Sequence, residues 1–335
     1  VHDLTAPPET ARWEELAEKA LRGERPSRDE ALAVLNAGDE ELLPLLGAAF
    51  RVRRRHFGKR VKLNMLMNAK SGVCPEDCGY CSQSIVSTAP IDKYSLLSSE
   101  VIVEGAHEAW RRKAGTYCIV ASGRGPGARE LREVTAAVRR IKEELPMKVC
   151  ACLGLLTEEQ ALELRAAGVD RYNHNLNTSS DHYGRITTTH TYEDRVTTIE
   201  AVKRAGISPC SGCIVGMGES REQVVDVAFA LRELDADSIP VNFLHAIPGT
   251  PLEGRSELDP GYCLRVLALF RFVCPTKEIR VSGGREVNLR SLQPLSLYPA
   301  NAIFVGDYLT TPGQVAEADY RMIEDLGFEI EECAL

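Results

Sequence analysis

The chain has 335 residues, 44% of them hydrophobic and 26% charged, with a formal net charge of −8. That length accommodates one (β/α)8 barrel of about 250 residues plus an added segment, the composition is that of a packed globular protein, and the negative balance argues against a nucleic-acid partner held through its phosphates. No apolar run is long enough to span a bilayer and no signal peptide opens the chain, so no membrane association is expected and a cytoplasmic location is.

Residues 1–60 read as an N-terminal helical extension. Apolar residues recur at helical spacing over Glu9–Leu21 and Arg28–Arg55, with a break at Arg25-Pro26-Ser27. Ser27 and Glu30 form a capping-box pattern that starts the second helix. The basic run Arg51–Arg55 reads as a solvated helix face. From residue 61 to 335, short β-like runs alternate with helical patterns. Strands are expected at Lys62–Asn68, Thr116–Ser122, Lys148–Leu153, Arg171–Asn175, Ser208–Val215, Ser238–His245, Glu278–Ser282 and Ala302–Gly306. Helices are expected near Glu100–Lys113, Arg129–Glu144, Glu158–Ala167, Tyr192–Ala205, Glu222–Leu234, Pro260–Val273, Leu289–Leu292 and Pro312–Leu326. Eight strands alternating with helices predict parallel βαβ units closed into a TIM barrel.

The 11 cysteines stand in an expected reducing compartment, where clustered thiols more often bind metal or serve catalysis than form disulfides. Cys74, Cys78 and Cys81 follow the first strand at C-x3-C-x2-C spacing. Structural zinc wants four ligands, and His56 and His107 are not at ligand spacing. Three thiolates in one short loop instead suit three irons of a [4Fe–4S] cube and leave the fourth iron open to a ligand. The loop also lies where TIM-barrel active sites lie, at the C-terminal end of a strand.

A second set follows from strand alternation. Cys118 shares a face with Thr116 and Val120, Cys150 and Cys152 share one face, Cys210 sits among small residues, and Arg280 interrupts an apolar strand. One barrel interior can gather all of them. Thiols and a guanidinium are costly there unless they are paired or bind metal, which favours a second, auxiliary iron–sulfur cluster. Cys213 falls on the opposite face from Cys210 and reads as structural, as do Cys263, Cys274 and Cys333.

These segments resemble the radical S-adenosylmethionine (SAM) enzymes of the biotin synthase family, closest to the Bacillus-like form. The resemblance runs from about Asn64 to Phe328. It is carried by Cys74–Ser84, Tyr117–Pro126, Cys150–Gly154, Tyr172–Thr178, Cys210-Ser-Gly212 with Gly216–Glu219, and Val281–Glu286. It implies a [4Fe–4S] cluster on Cys74, Cys78 and Cys81 that binds SAM, and an auxiliary [2Fe–2S] cluster on Cys118, Cys150, Cys210 and Arg280. Cys152 is a departure that many relatives lack. As an added ligand it makes a four-iron auxiliary cluster an equal alternative.

The resemblance further implies SAM contacts from Tyr80, Asn177, Arg195, Ile214 and Gly216. Asn177 stands where many relatives have an aspartate for the ribose hydroxyls. Asn173, Asn175 and Asn242 are implied as ligands of dethiobiotin, whose ureido ring offers both donors and an acceptor to a carboxamide. A row of amides on one inward face needs partners, and three in a row are hard to satisfy from one another. The implied reaction is sulfur insertion into dethiobiotin, with the auxiliary cluster as sulfur donor. The implied partners are a flavodoxin- or ferredoxin-type reductant, iron–sulfur assembly proteins and a second copy in a homodimer. A hydrogenase maturase, a methylornithine-type mutase or a non-catalytic iron–sulfur carrier are the alternatives.

Overall fold

The computed structural model describes residues 8–255 and 258–332; Cys333 lies outside them. Three helices precede the barrel: α1 (Pro8–Leu21), α2 (Arg28–Leu35) and α3 (Leu42–Phe57). Ser27 caps α2 as its capping box requires: Ser27 Oγ accepts from Glu30 N at 3.1 Å, and Glu30 Oε2 accepts from Ser27 N at 2.6 Å. The single helix expected over Arg28–Arg55 is instead divided. Asn36 ends α2, and extended Gly38 starts a one-turn 3-10 helix whose Glu41 carboxylate accepts from Gly38 N at 2.9 Å. Apolar spacing survives the break because α2 and α3 both pack on α10 (Pro260–Val273).

The basic run of α3 is only partly solvated. Arg53 is fully buried and donates to the carbonyls of Ala300 (3.0 Å) and Arg60 (2.8 Å). The guanidinium thereby satisfies carbonyls where the helix end meets the barrel.

The barrel is closed and entirely parallel. Its staves are β1 (Arg60–Lys70), β2 (Thr116–Ala121), β3 (Lys148–Cys152), β4 (Arg171–Asn173), the divided fifth stave β5 (Ser208–Cys210) and β6 (Cys213–Val215), β7 (Ser238–Phe243), β8 (Glu278–Val281) and β9 (Ala302–Phe304). β9 returns to pair with β1, and β10 (Glu329–Ile330) extends the first residues of β1. The (β/α)8 expectation holds, with two corrections among the strands. The fifth run is interrupted at Ser211-Gly212, where a Cβ on Gly212 would lie 1.9 Å from the Pro240 carbonyl oxygen, so only glycine fits. The fourth run ends at Asn173, and Asn177 beyond it adopts a left-handed φ of 68°.

Helices α4 (Ser99–Arg111), α5 (Ala128–Glu144), α6 (Glu158–Ala167), α8 (Tyr192–Arg204), α9 (Arg221–Glu233) and α10 follow successive strands, with short α7 (Ser180–Tyr183) before α8. The helix expected near Leu289 begins earlier, as α11 (Arg285–Leu289), and runs on as a 3-10 turn containing Pro294. The helix expected from Pro312 begins at Ala316 as α12 (Ala316–Asp325); Gly313 ahead of it is held in a turn by Asp307. The apolar core lies between strands and helices, where Tyr117, Ile119, Val149 and Ala151 are fully buried. Inward positions of β2 and β3 carry Thr116, Cys118 and Cys150, and β4 carries Arg171 level with Cys150. Among the described residues no helix is long and apolar enough to cross a membrane.

Candidate active site

The loop after β1 carries the cysteine triplet at the mouth of the barrel, and neighbours hold it at several points. Gly79 N donates to the Ile186 carbonyl (2.8 Å), Ile85 N to that of Glu76 (3.0 Å), and Gly72 N to Gln83 Oε1 (2.9 Å). The carboxylate of Asp77 accepts from Thr187 Oγ1 (2.6 Å) and Thr188 N (2.9 Å). Cys74, Cys78 and Cys81 all line one cavity of about 390 Å³. Burial pushes the Cys81 thiol up to about 12 and raises Cys78, so metal binding there must displace protons. Among the described residues no three His, Cys, Asp or Glu side chains converge closely enough to chelate one ion. Three thiols on one short loop, with no histidine at ligand spacing, suit three irons of a cluster better than structural zinc, which wants four ligands.

Deeper in the barrel the second cysteine set comes together. Cys118 is level with Cys150 across β2 and β3, and Cys210 is level with Asn173 across β4 and β5. The Cys150 thiol is within hydrogen-bond reach of both Cys118 and Cys210. Asn173 Nδ2 donates to Cys210 Sγ at 3.3 Å. The neighbouring Cys150 thiol, then Arg280 and Arg171, lower the Cys210 thiol against the opposing effect of burial. Cys152 lines the cavity, and burial pushes its thiol up to about 12.

Arg280 is fully buried, with Nη2 donating to Glu278 Oε1 (2.6 Å) and Ser238 Oγ (2.9 Å). Its buried Nε has no partner among the described residues. Three adjacent thiols and a guanidinium with an unpartnered N–H are a donor set that fits an iron–sulfur group. Cys213, Cys263 and Cys274 lie instead in the apolar shell outside the barrel.

The amides also face this cavity. Asn173, Asn175, Asn177 and Asn242 all line it. Only one bond joins two amides of the row, and the other partners come from neighbouring loops. Asn175 Oδ1 accepts from Asn173 Nδ2 (3.0 Å) and Gly212 N (3.1 Å), while Asn177 Nδ2 donates to the Tyr80 hydroxyl at 2.7 Å. The reason is that the strand ends early, and the turn of the chain brings the amides against loop partners. Asn242 bridges Gly283 N (2.9 Å, accepted) and the Cys213 carbonyl (2.9 Å, donated).

Tyr80, Arg195 and Ile214 line the cavity too, but Gly216 does not. Its φ of 103° belongs to a turn in which Glu219 accepts from the backbone of Gly216 (2.7 Å) and Met217 (2.8 Å).

Arg195 faces the cavity rather than solvent. It donates from Nη1 to the Asn175 carbonyl (2.9 Å), from Nη2 to His190 Nε2 (2.7 Å) and from Nε to the Tyr183 hydroxyl. His190 Nδ1 in turn meets Glu76 Oε2 at 2.7 Å. For Arg195 to donate to Nε2, the ring must be neutral with its proton on Nδ1, pointing at Glu76. Burial, then Arg195, lower the His190 pKa in keeping with that state.

Sequence reasoning missed Glu76, His190 and Tyr183. The proximity of Glu76 to the cysteines was the available signal. It also missed His174, whose buried Nε2 faces the cavity without a partner among the described residues. Tyr308 is a further omission: it lines the cavity and donates to Glu286 Oε2 at 2.9 Å.

Residues 69–231 match the Radical SAM superfamily model and residues 240–329 the Biotin and Thiamin Synthesis associated domain. The chain is 66% identical over 319 residues to the biotin synthase of Halalkalibacterium halodurans, covering 95% of this chain and 96% of that one. It is 64% identical over 328 residues to the biotin synthase of Bacillus pumilus, covering 98% and 99%. Among solved structures, methylornithine synthase superposes with a TM-score of 0.81 at 21% identity, covering 95% of this chain and 97% of that one. The FeFe-hydrogenase maturase of Carboxydothermus hydrogenoformans superposes with a TM-score of 0.79 at 18% identity, covering 97% and 80%. Those two likenesses establish the barrel fold and nothing finer. The radical SAM match carries with it a [4Fe–4S] cluster and SAM, and the near-full-length identity decides among the enzymes that share this barrel: the chain belongs to the biotin synthase family.

Proposed function

We propose that this chain converts dethiobiotin to biotin, with Cys74, Cys78 and Cys81 holding the SAM cluster and Cys118, Cys150 and Cys210 holding a second iron–sulfur group that is consumed as the sulfur donor. The observation that carries the reading is the grouping of three thiols inside the barrel, on the same cavity as the triplet loop. When bound, the cluster and SAM supply a deoxyadenosyl radical that removes hydrogen from substrate carbon. Replacing two C–H bonds by two C–S bonds would take two SAM cleavages, each deoxyadenosyl radical keeping one hydrogen atom as deoxyadenosine, and the second group would supply the sulfur.

The chain's own residues bind, orient and exclude water. Arg195, held by His190 and Tyr183, offers its charge to the SAM carboxylate. Tyr80, Asn177 and Ile214 face the nucleoside portion, with Gly216 shaping the turn behind them. Asn173, Asn175 and Asn242 present carboxamides to the ureido ring between the two sulfur sets. Arg280 and Cys152 are the two candidates for the remaining ligand of the donor group. Iron per chain separates its forms: about eight for two four-iron groups, about six for one of each.

The same proposal takes residues 1–60 as the helical extension and 61–335 as the barrel unit. It extends to a flavodoxin- or ferredoxin-type reductant, iron–sulfur assembly proteins and a homodimer in the cytoplasm, all supported by the family relationship. The test is anaerobic turnover of reconstituted protein with dethiobiotin, SAM and a reductant, read by mass. Biotin is the expected product. SAM cleavage without biotin, by protein holding both iron–sulfur groups, overturns the reading.

A further inference from the structure

Inside the barrel, among the second set of cysteines, lies a group of charges that ligand binding does not by itself explain. Glu278 accepts from Arg171 Nη1 (2.7 Å), Lys62 Nζ (3.3 Å), Arg280 Nη2 (2.6 Å) and Ser238 Oγ (2.8 Å). Lys62 and Glu278 are buried and Arg171 nearly so, with a side chain 12% exposed. TIM-barrel interiors are ordinarily filled with branched apolar side chains. Charges withdrawn from water there cost several kcal/mol each before pairing. A structural plug would therefore balance its charges. Here three cations bond to one carboxylate, and the next carboxylate, Asp237, acts on Arg171 only at a distance while Lys277 Nζ donates to it at 3.0 Å, which leaves positive charge in excess at the group.

The excess calls for an anion, and the register shows where it belongs. Arg171 is level with Cys150 across β3 and β4; Glu278 is level with Ser238, itself level with Cys210. Arg171 lies close enough to Cys118 and Cys210 to act on both electrostatically.

We propose that Lys62, Arg171 and Glu278 are positioning residues that form a charged floor for the iron–sulfur group held by Cys118, Cys150 and Cys210. The two cations offset the negative charge of the thiolates and the group, and they stabilise its reduced form. Glu278 fixes the guanidinium of Arg280 from behind. The inference rests on the sulfur-donor reading given above.

The test is the midpoint potential of the auxiliary group in the anaerobically reconstituted full chain, with the group on Cys74, Cys78 and Cys81 as internal reference. Lys62→Met and Arg171→Met remove a cation each, while Lys62→Arg and Arg171→Lys keep it. The charge-removing variants are expected to shift the auxiliary reduction equilibrium toward the oxidised form about tenfold, which is about 59 mV for a one-electron couple. The reference group stays where it was, and the charge-keeping variants restore the auxiliary value. Failure of a charge-removing variant to take up the auxiliary group, with uptake in its charge-keeping counterpart, supports the floor equally. Unchanged potentials, or the same loss in both kinds of variant, overturn it, because packing rather than charge is then at issue. Wild-type protein that retains only about four irons per chain overturns the sulfur-donor reading and the floor with it. Wild-type protein holding both groups with immovable potentials overturns the floor alone.

Discussion

Replacing His190 with alanine separates Glu76 from Arg195. His190 and Glu76 are both buried, with side chains 4% and 8% exposed, so the loss is not readily made good by bulk solvent. Arg195 keeps its bonds to the Asn175 carbonyl and the Tyr183 hydroxyl and loses the one to His190 Nε2. A hydrogen bond to a charged group contributes about 1.5–3 kcal/mol. If that energy holds the guanidinium in its SAM-binding position, SAM affinity falls about 10- to 100-fold. The assay is equilibrium dialysis of SAM against anaerobically reconstituted protein, with iron content measured on the same sample. Iron on Cys74, Cys78 and Cys81 should persist, because Asp77 and its threonine partners still anchor the loop. An unchanged SAM dissociation constant with that iron in place refutes the positioning role of His190. If Arg195→Met is equally silent, the assignment of Arg195 to SAM falls as well.

Cys118→Ser is expected to leave about four irons per chain and to preserve SAM cleavage under dithionite while biotin formation stops; loss of cleavage in this variant means that the two cysteine sets are wrongly divided. Arg285→Met leaves the fully buried Asp319 without the partner that donates to it at 2.6 Å. Breaking such a pair costs about 3–5 kcal/mol, so the thermal unfolding midpoint of a chain this long should drop by roughly 4–7 °C, as read by differential scanning fluorimetry. Asp237 accepts from Ser208 Oγ (2.7 Å) and Lys277 Nζ (3.0 Å). Burial alone would raise its pKa, but these two bonds outweigh it and hold the carboxyl below its ordinary value. Its stabilising contribution is therefore complete above about pH 4, the unfolded value, and is lost as pH falls through the lower folded value. Denaturant titrations should show Asp237→Asn less stable than wild type at neutral pH and converging with it in acid. A constant difference across the range contradicts the assignment.

The parts of the site legible in the sequence are those that depend on local periodicity. Cys118, Cys150 and Cys210 sit within strands, so alternation alone places them inward; the parallel register brings Cys118 level with Cys150 and sets Cys210 two residues further along, level with Asn173. The triplet spacing is likewise local. What alternation could not give is anything past a strand's end. Asn177 was extrapolated along a strand that stops at Asn173, and its left-handed backbone turns it toward Tyr80. Gly216 was implied by the resemblance alone, and it does not line the cavity. The run Glu76–His190–Arg195 was invisible for another reason. Its members come from two loops and a helix, and only the closed barrel brings them together.

The interior charges show why a sequence can declare a site before its geometry is known. Along β2 and β3 the outward residues Tyr117, Ile119, Val149 and Ala151 are fully buried against helices. That outer shell supplies the apolar burial on which folding rests, so the inward face is released from the usual filling. On that face Lys62, Arg171 and Glu278 tolerate desolvation only in one another's company, and Arg280 only beside Glu278. Each is a poor choice for a packed barrel taken singly. Together with the thiols at their level they form a polar interior that an apolar replacement of similar volume would stabilise. Residues that weaken a barrel in this way, yet converge on one another from β1, β4 and β8, are accounted for by the charged group they are arranged to hold.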